Sequence, residues 1–165
     1  MLETIGYGPA VAEDFAPYAM AADASVGRVV RVDRGVVSLL TDDGPVRATI
    51  GGGLLAEVAR DPVAGPCTGD WVVVRSWPHD RRTVELVLPR RTSVVRATAG
   101  ESSHGQLLCS NVDLVAAVVA LHPTPVLAKV ERLLALAWES GATPVVVLIV
   151  SRPAFASAIS SRSGP

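Results

Sequence analysis

The feature that most constrains the fold of this chain is a series of five short apolar segments in its first half. They are rich in Val, Ile, Leu and Thr and cover residues 27–32, 36–40, 46–50, 71–75 and 83–88. Gly, Asp and Pro residues separate them, as in the turns that join β-strands. The longest connection, residues 51–66, lies between the third and fourth segments and contains a short helical pattern. This order predicts an all-β, five-stranded barrel of the OB-fold type.

The second half of the chain has a different character. Apolar segments at 113–121 and 144–150 are each typical of a strand that is buried on both faces. Between them, apolar residues at helical spacing in 126–140 predict an amphipathic helix that ends before Gly141. Strand, helix and strand in this order indicate a βαβ unit with a parallel strand pair, the incomplete start of an α/β domain.

These patterns predict five regions along the chain. They are a loosely ordered acidic lead-in (1–24), the OB-fold barrel (25–96), an inter-domain linker (97–110), the truncated start of an α/β domain (111–150) and an unrelated tail (151–165). An incomplete parallel sheet leaves apolar surface and open edges, so we expect self-association through this sheet.

Composition argues against several classes of protein and site. No apolar run reaches the roughly 18 residues of a membrane span, and the N-terminus lacks the pattern of a secretory signal. Cys67 and Cys109 lie far apart without CxxC or Cys/His spacing, which favours free thiols in a cytosolic protein over a disulfide or zinc site. His104 has no partner at useful spacing and is interpreted as solvated. The motifs of the chain therefore indicate no catalytic, nucleotide-binding or metal-ligating residue.

The candidate RNA-binding residues are basic and aromatic side chains of the barrel and the segment that follows it. They are Arg28, Arg31, Arg34, Arg47, Trp71, Arg75, Arg90 and Arg91. Guanidinium groups bind phosphate in a bidentate manner, and the early strands of OB barrels commonly bind oligonucleotides. Two interpretations stay open for these side chains. The arginines are phosphate contacts or ordinary solvated charge, and the tryptophans Trp71 and Trp77 stack on bases or cover the barrel.

Several short motifs occur in an order that is specific as a set. They read GRV at 27–29, GDWVVV at 69–74, LPRRT at 88–92, NVD at 111–113 and ERLLALAWESGA at 131–142. Together they resemble the N-terminal half of the ribosome small-subunit-dependent GTPase family. The resemblance implies an OB-fold that binds ribosomal RNA, followed by a circularly permuted GTPase domain that uses GTP and Mg²⁺, and then a zinc-binding domain. It also implies a cytoplasmic protein that acts late in the maturation of the small ribosomal subunit.

The sequence departs from this family where the nucleotide is bound. The guanine-reading motif, which ends in an aspartate, would follow the strand at 145–148, but residues 149–152 read IVSR. Arg152 offers hydrogen-bond donors where the aspartate accepts them. The sequence contains no GxxxxGK[ST] loop and no Cys/His zinc set. We therefore expect a fragment, produced by a changed reading frame or a cut gene, that is inactive as a GTPase on its own. The alternatives are a stand-alone, non-enzymatic RNA- or ribosome-binding OB module, and a structural barrel without a nucleic-acid role.

Overall fold

The computed structural model describes residues 1–96, 105–122 and 124–150. Its strands are β1 (Ala24–Asp33), β2 (Val36–Thr41), β3 (Gly44–Ile50), β4 (Trp71–Trp77), β5 (Arg81–Val87), β6 (Ser93–Arg96), β7 (Gln106–Ser110), β8 (Leu114–Ala120) and β9 (Thr143–Ile149). Its helices are α1 (Pro9–Phe15), α2 (Gly52–Arg60) and α3 (Leu127–Glu139), with short 3-10 helices at Leu2–Ile5 and Pro62–Ala64. The tail predicted at 151–165 and His104 lie outside the described residues.

Strands β1 to β5 form a closed barrel in the order β1-β2-β3-β5-β4. All neighbours pair antiparallel except β3 and β5, which close the barrel in parallel with Thr49 opposite Thr83. Alternate side chains of each strand point into the barrel, where burial of Val and Leu supplies the main stabilisation. The core consists of Val29, Val37, Leu39, Ala48, Leu54, Val72, Val74 and Val84. The predicted five-stranded barrel is confirmed.

Helix α2 covers one end of this barrel. It starts after Gly51, whose extended backbone occupies the N-cap position, and its Leu54 is 2% exposed in the barrel core. The helical pattern expected between the third and fourth strands is thus present. It spans nine residues, because the glycines that precede Leu54 belong to the helix.

The N-terminal segment differs from the loosely ordered lead-in that we expected for residues 1–24. A 3-10 helix and α1 pack against the outside of the barrel, and Leu2 and Val11 are buried there. With Val26, Trp71, Val73 and Leu88 they form a second hydrophobic cluster. The few apolar residues of this segment pack against outward side chains of β1 and β4. The composition of the segment alone does not predict this packing.

The linker predicted at 97–110 is also wrong in its described part. Residues Gln106–Ser110 form β7, which pairs antiparallel with β6 and places Val94 opposite Cys109. The backbone N–H of Ser93 donates to the Ser140 carbonyl at 3.0 Å, so this strand pair contacts the end of α3. The five residues of β7 are too few to show a clear apolar alternation in the sequence, and the strand is defined by its backbone pairing.

The predicted βαβ unit is confirmed by β8, α3 and β9. The two strands pair in parallel from Leu114 opposite Thr143 to Ala120 opposite Ile149. Ala117 and Ala137 are buried where helix and sheet meet, but much of the apolar surface of this unit is exposed. The exposed large side chains are Leu114, Val118, Val126, Leu127, Trp138, Val145, Val146, Val147, Leu148, Ile149 and Val150.

A buried polar junction connects the barrel to β7, and we define it by Asp70, Arg90, Ser110 and Asn111. Asp70 is fully buried and accepts hydrogen bonds from Nε and Nη2 of Arg90, both at 2.8 Å, and from the Ser110 hydroxyl. These hydrogen bonds raise the pKa of the Arg90 guanidinium. Arg90 also donates to the backbone carbonyls of the 3-10 segment at 2.7 Å. In the junction, the Arg90 guanidinium compensates the buried negative charge of Asp70.

Asn111 completes this junction with an unusual backbone. Its φ of 51° is left-handed, a conformation that Asn tolerates better than most residues. Its side-chain Nδ2 donates to the Gly69 carbonyl at 3.2 Å, and its Oδ1 accepts from the Arg91 backbone N–H at 3.0 Å. Gly69 has a φ of 96° and lies so close to the Ser110 carbonyl that a Cβ atom would collide with it. The close approach of barrel and β7 therefore requires glycine at position 69.

Both cysteines are free thiols, as expected. Burial raises the pKa of the Cys67 thiol to about 12, with a further contribution from the nearby Asp70 carboxylate. Burial also raises the pKa of Cys109. Both therefore stay protonated near neutral pH.

Candidate nucleic-acid interface

The outer face of β1, β2 and β3 carries a row of polar side chains that the strand register places side by side. Arg31 lies opposite Ser38, and Ser38 lies opposite Arg47. Both arginines are exposed, and Arg31 pairs with Asp33 through Nη2 and Oδ1 at 2.8 Å. Two guanidinium groups two strands apart on an open surface can contact successive phosphates of a nucleic-acid backbone. We call Arg31, Ser38 and Arg47 the three-strand row.

Two further predicted residues are exposed outside this row. Arg34 lies in the tight turn between β1 and β2, where Gly35 takes a φ of 72°. Arg91 lies in the segment between β5 and β6 and is exposed as well. Its backbone N–H is held by Asn111, so its position on the surface is fixed by the junction.

A second basic group lies on the β4–β5 hairpin. Arg75 and Trp77 are two positions apart on β4, and Trp77 pairs across the hairpin with Arg81. The guanidinium carbons of Arg75 and Arg81 lie over the Trp77 ring, 4.6 and 5.2 Å from its centroid. Each such cation–π contact stabilises the arrangement by about 0.5–1 kcal/mol at an exposed site. We call Arg75, Trp77 and Arg81 the hairpin cluster.

Two contacts fix the hairpin cluster to the barrel. Trp77 Nε1 donates to Thr83 Oγ1 at 2.7 Å, which keeps the indole against β5. Arg75 Nε donates to Asp23 Oδ2 at 2.6 Å. This hydrogen bond lowers the pKa of the Asp23 carboxyl. The hairpin cluster is therefore ordered by neighbouring side chains rather than left to move in solvent.

The structure corrects the prediction for Trp71. Trp71 and Arg75 are four positions apart on β4 and so lie on the same side of the strand. The N-terminal segment covers that side at Trp71, which is only 1% exposed. Its ring contacts Tyr7 edge to face, with centroids 5.6 Å apart. A base cannot stack on a ring that is enclosed in this way, so Trp71 is a core residue.

Arg28 is half-buried, and its guanidinium group is engaged in contacts within the protein. Its guanidinium carbon lies 5.3 Å from the Trp71 ring centroid. Its Nη1 donates to the Ile5 carbonyl and its Nη2 donates to the Asn111 carbonyl, the latter at 2.9 Å. Burial lowers the pKa of this guanidinium. Arg28 thus joins the N-terminal segment, the barrel and the start of the second domain.

Arg90 is the third predicted residue with a structural role, because the junction with Asp70 uses its Nε and both Nη groups. The predicted set therefore divides. Exposed on the surface are Arg31, Arg34, Arg47, Arg75 and Arg91, and engaged in packing are Arg28, Trp71 and Arg90.

Arg81 is a residue that the sequence analysis missed. It follows the three-residue turn 78–80, in which His79 and Asp80 both have positive φ values. An aromatic residue and an arginine on either side of a tight turn predict a cross-strand pair. The sequence contains this signal in Trp77 and Arg81.

Among residues 1–96, 105–122 and 124–150, His, Cys, Asp and Glu side chains form no group of three or more that could hold a metal ion. None of the helices described combines the length and apolar composition that a membrane crossing requires.

Comparison with known proteins finds relatives that are named small ribosomal subunit biogenesis GTPases. No protein-family model matches it. It is 46% identical over 147 residues to the small ribosomal subunit biogenesis GTPase RsgA of Streptomyces coelicolor, covering 89% of this chain and 38% of that protein. The RsgA of Streptomyces avermitilis is 46% identical over 135 residues, or 82% of this chain and 35% of that protein. The RsgA of Opitutus terrae is 36% identical over 156 residues. The chain thus spans well under half the length of these relatives.

Two solved structures share the fold. The circularly permuted GTPase YloQ aligns with 78% of this chain and 42% of its own, with a TM-score of 0.53 and 17% identity. YjeQ from Thermotoga maritima aligns with 76% of this chain and 41% of its own, with a TM-score of 0.55 and 20% identity. The family resemblance predicted from the sequence motifs is therefore confirmed: this chain is homologous to part of the small ribosomal subunit biogenesis GTPases named RsgA.

Proposed function

We propose that this chain is the RNA-binding part of a small ribosomal subunit biogenesis GTPase and that its barrel contacts ribosomal RNA. The observation that carries the proposal is the three-strand row, in which Arg31 of β1 and Arg47 of β3 are exposed on either side of Ser38 of β2. Arg34 in the neighbouring turn extends the same surface. Homology to proteins named for small-subunit biogenesis supports ribosomal RNA as the partner. A cytoplasmic location follows from the proposal, because ribosomal subunits mature there.

The contacts in the row favour recognition of the RNA backbone rather than of bases. Guanidinium groups bind phosphate oxygens independently of sequence, and the row contains no exposed aromatic ring on which a base could stack. Affinity that depends on phosphate contacts falls with salt, because binding releases counterions from the RNA and this release is less favourable when the salt concentration is high. The proposed interaction is therefore strongly salt dependent.

GTP binding and hydrolysis require nucleotide-binding motifs, and we do not propose either activity for this chain. The 165 residues contain no GxxxxGK[ST] sequence, and the residues after β9 lack the guanine-reading aspartate. We therefore propose that this chain contributes RNA binding, and we assign none of its residues to GTP or Mg²⁺. Its two cysteines, Cys67 and Cys109, lie far apart and do not form the Cys/His ligand set of the zinc-binding domain that the family resemblance implies.

The test compares the wild-type chain with the double variant R31A/R47A in binding to purified bacterial small ribosomal subunits. The wild type should co-sediment with the subunits at low salt and be released as salt increases. The double variant should bind more weakly, and the slope of log K against log salt should fall by about 1 for each phosphate contact removed. The measurement is co-sedimentation over a series of salt concentrations.

The matched control is the double variant R60A/R132A, which removes two exposed arginines from helices α2 and α3. It has the same change in net charge as R31A/R47A but leaves the outer face of the barrel strands intact. Equal loss of binding in the two double variants would show that binding depends on the net charge of the chain and not on the position of the arginines. Unchanged binding by R31A/R47A would show that the row is ordinary surface charge, which is the structural-barrel alternative.

A further inference from the structure

The hairpin cluster of Arg75, Trp77 and Arg81 combines features that the three-strand row lacks. Its two arginines come from different strands, yet their guanidinium carbons lie over one indole ring, at 4.6 and 5.2 Å from the centroid. The indole is held by Thr83, and Arg75 is held by Asp23. Two cations over one ring repel each other, and an anion placed between them relieves that repulsion. The cluster is thus built to receive negative charge.

The position of the indole argues against base stacking. A base stacks on an aromatic side chain by lying against its ring face. Here the guanidinium groups already lie over that ring, and only 36% of Trp77 is exposed. Stacking would require both arginines to leave contacts that stabilise them. Their outward position favours the backbone of the nucleic acid as the ligand.

The strand register connects this cluster to the three-strand row. Thr49 of β3 pairs with Thr83 of β5, and Arg47 and Arg81 each precede their paired threonine by two positions. Both arginines are exposed on neighbouring strands of the same barrel surface. One nucleic-acid backbone that runs across the barrel can therefore contact the row and the cluster together.

We propose that the hairpin cluster is a phosphate clamp, in which Arg75 and Arg81 bind the RNA backbone and Trp77 is a positioning residue that holds them and takes no base. The inference rests on the proposed function, since it assumes that RNA is the ligand of the barrel. It adds to that function a second contact site, a ligand group and a role for Trp77. Asp23 competes with phosphate for Arg75 and so limits the affinity of the clamp.

The experiment measures binding of a fluorescently labelled duplex RNA and a labelled single-stranded RNA to the full chain over a series of salt concentrations. The variants are R75A/R81A, W77F and W77L, with R60A/R132A as the control that removes the same charge elsewhere. R75A/R81A should weaken binding to both RNAs and reduce the salt slope by about 2, or about 1 for each lost phosphate contact. The control should keep the wild-type slope.

The two variants of Trp77 separate positioning from stacking. Phe keeps an aromatic face for the guanidinium groups, so W77F should restore most of the affinity that W77L loses. W77L should weaken binding to duplex and single-stranded RNA alike, because the phosphate contacts are common to both. If W77L weakens only single-stranded RNA and leaves the salt slope unchanged, Trp77 stacks on a base and the inference is wrong.

Failure of the inference and failure of the proposed function give different results. If R75A/R81A keeps the salt slope and affinity of the wild type while R31A/R47A binds weakly, the phosphate clamp is wrong and the proposed function is still supported. If R31A/R47A binds like the wild type while R75A/R81A loses affinity, the RNA interface lies at the hairpin cluster and not at the three-strand row. Absence of salt-dependent binding by the wild type to either RNA would overturn both. Thermal unfolding of each variant, followed by circular dichroism, establishes that it is folded.

Discussion

At the scale of single residues, the buried ion pair of the junction is highly sensitive to substitution. Asp70 is 0% exposed, and it is the carboxylate that balances the charge of Arg90. An ion pair of this kind need not add much stability compared with apolar side chains. Removal of one partner is different, because the other charge stays buried without compensation.

We expect the substitution Asp70→Asn to lower the free energy of unfolding by about 3–5 kcal/mol, the usual cost of breaking a buried pair. The amide keeps the shape of the side chain but loses the charge that Arg90 requires. The measurement is urea unfolding followed by circular dichroism, and the matched control is Asp33→Asn. Asp33 pairs with Arg31 on the surface, where the loss should stay within about 1 kcal/mol. Similar losses in both variants would contradict this account of the junction.

The sequence predicts on which face of a strand a side chain lies, but not whether another segment covers that face. Alternation along β4 places Trp71 on one face with Arg75 and Trp77. It cannot show that another segment covers part of that face, which buries Trp71 and leaves the other two exposed. The contacts of Arg28 and Arg90 are equally hidden from the sequence, since their partners Asn111 and Asp70 lie 83 and 20 residues away along the chain.

At the scale of elements, the N-terminal segment depends on the barrel for its structure. α1 has only seven residues, which is too short to be stable as an isolated helix. Its order comes from the second hydrophobic cluster, to which Leu2 and Val11 contribute. Periodicity could not predict it, because two short turns of helix carry no long pattern. By contrast, the strands of the barrel and the βαβ unit carry clear patterns and were predicted.

We expect Leu2→Ala to lower the free energy of unfolding by about 2–5 kcal/mol, since it deletes a side chain that is 2% exposed. The loss should also expose the Trp71 ring and shift its fluorescence to longer wavelength. Guanidinium unfolding followed by tryptophan fluorescence measures both effects. Leu55→Ala is the control, because Leu55 is 56% exposed on α2 and its truncation should cost less than about 0.5 kcal/mol. Equal stability of the two variants would show that the segment adds nothing to the fold.

At the scale of the whole molecule, the barrel and the βαβ unit differ in how fully they bury their apolar side chains. The barrel encloses a continuous core, whereas the sheet of β8 and β9 leaves Leu148 57% exposed and Ile149 48% exposed. The sequence predicted both parts, because strand and helix periodicity are local signals. It missed β6 and β7, since their pairing brings together two segments with short and irregular patterns.

We expect the chain to self-associate through the exposed β8–β9 sheet, with a mass that rises with concentration in sedimentation velocity experiments. Apolar patches of this extent on a soluble chain favour association, and open strand edges add backbone pairing. Leu148→Asp should keep the chain monomeric to higher concentration. Leu55→Asp, which changes a leucine of equal exposure on the barrel helix, should not. A wild-type chain that stays monomeric throughout would refute this expectation.

The long-range contacts of Trp71 set the order in which a growing chain can fold on the ribosome. The first fifteen residues emerge first, but the ring that buries Leu2 and contacts Tyr7 is translated about 60 residues later. Strand β1 can pair with β2 early, but its pairing with β4 also requires later residues, because Ala24 pairs with Arg75. Asp70 then stays without its Ser110 partner until β7 has been synthesised. The N-terminal segment of this protein is thus synthesised first but can pack against the barrel only after β4 has been made.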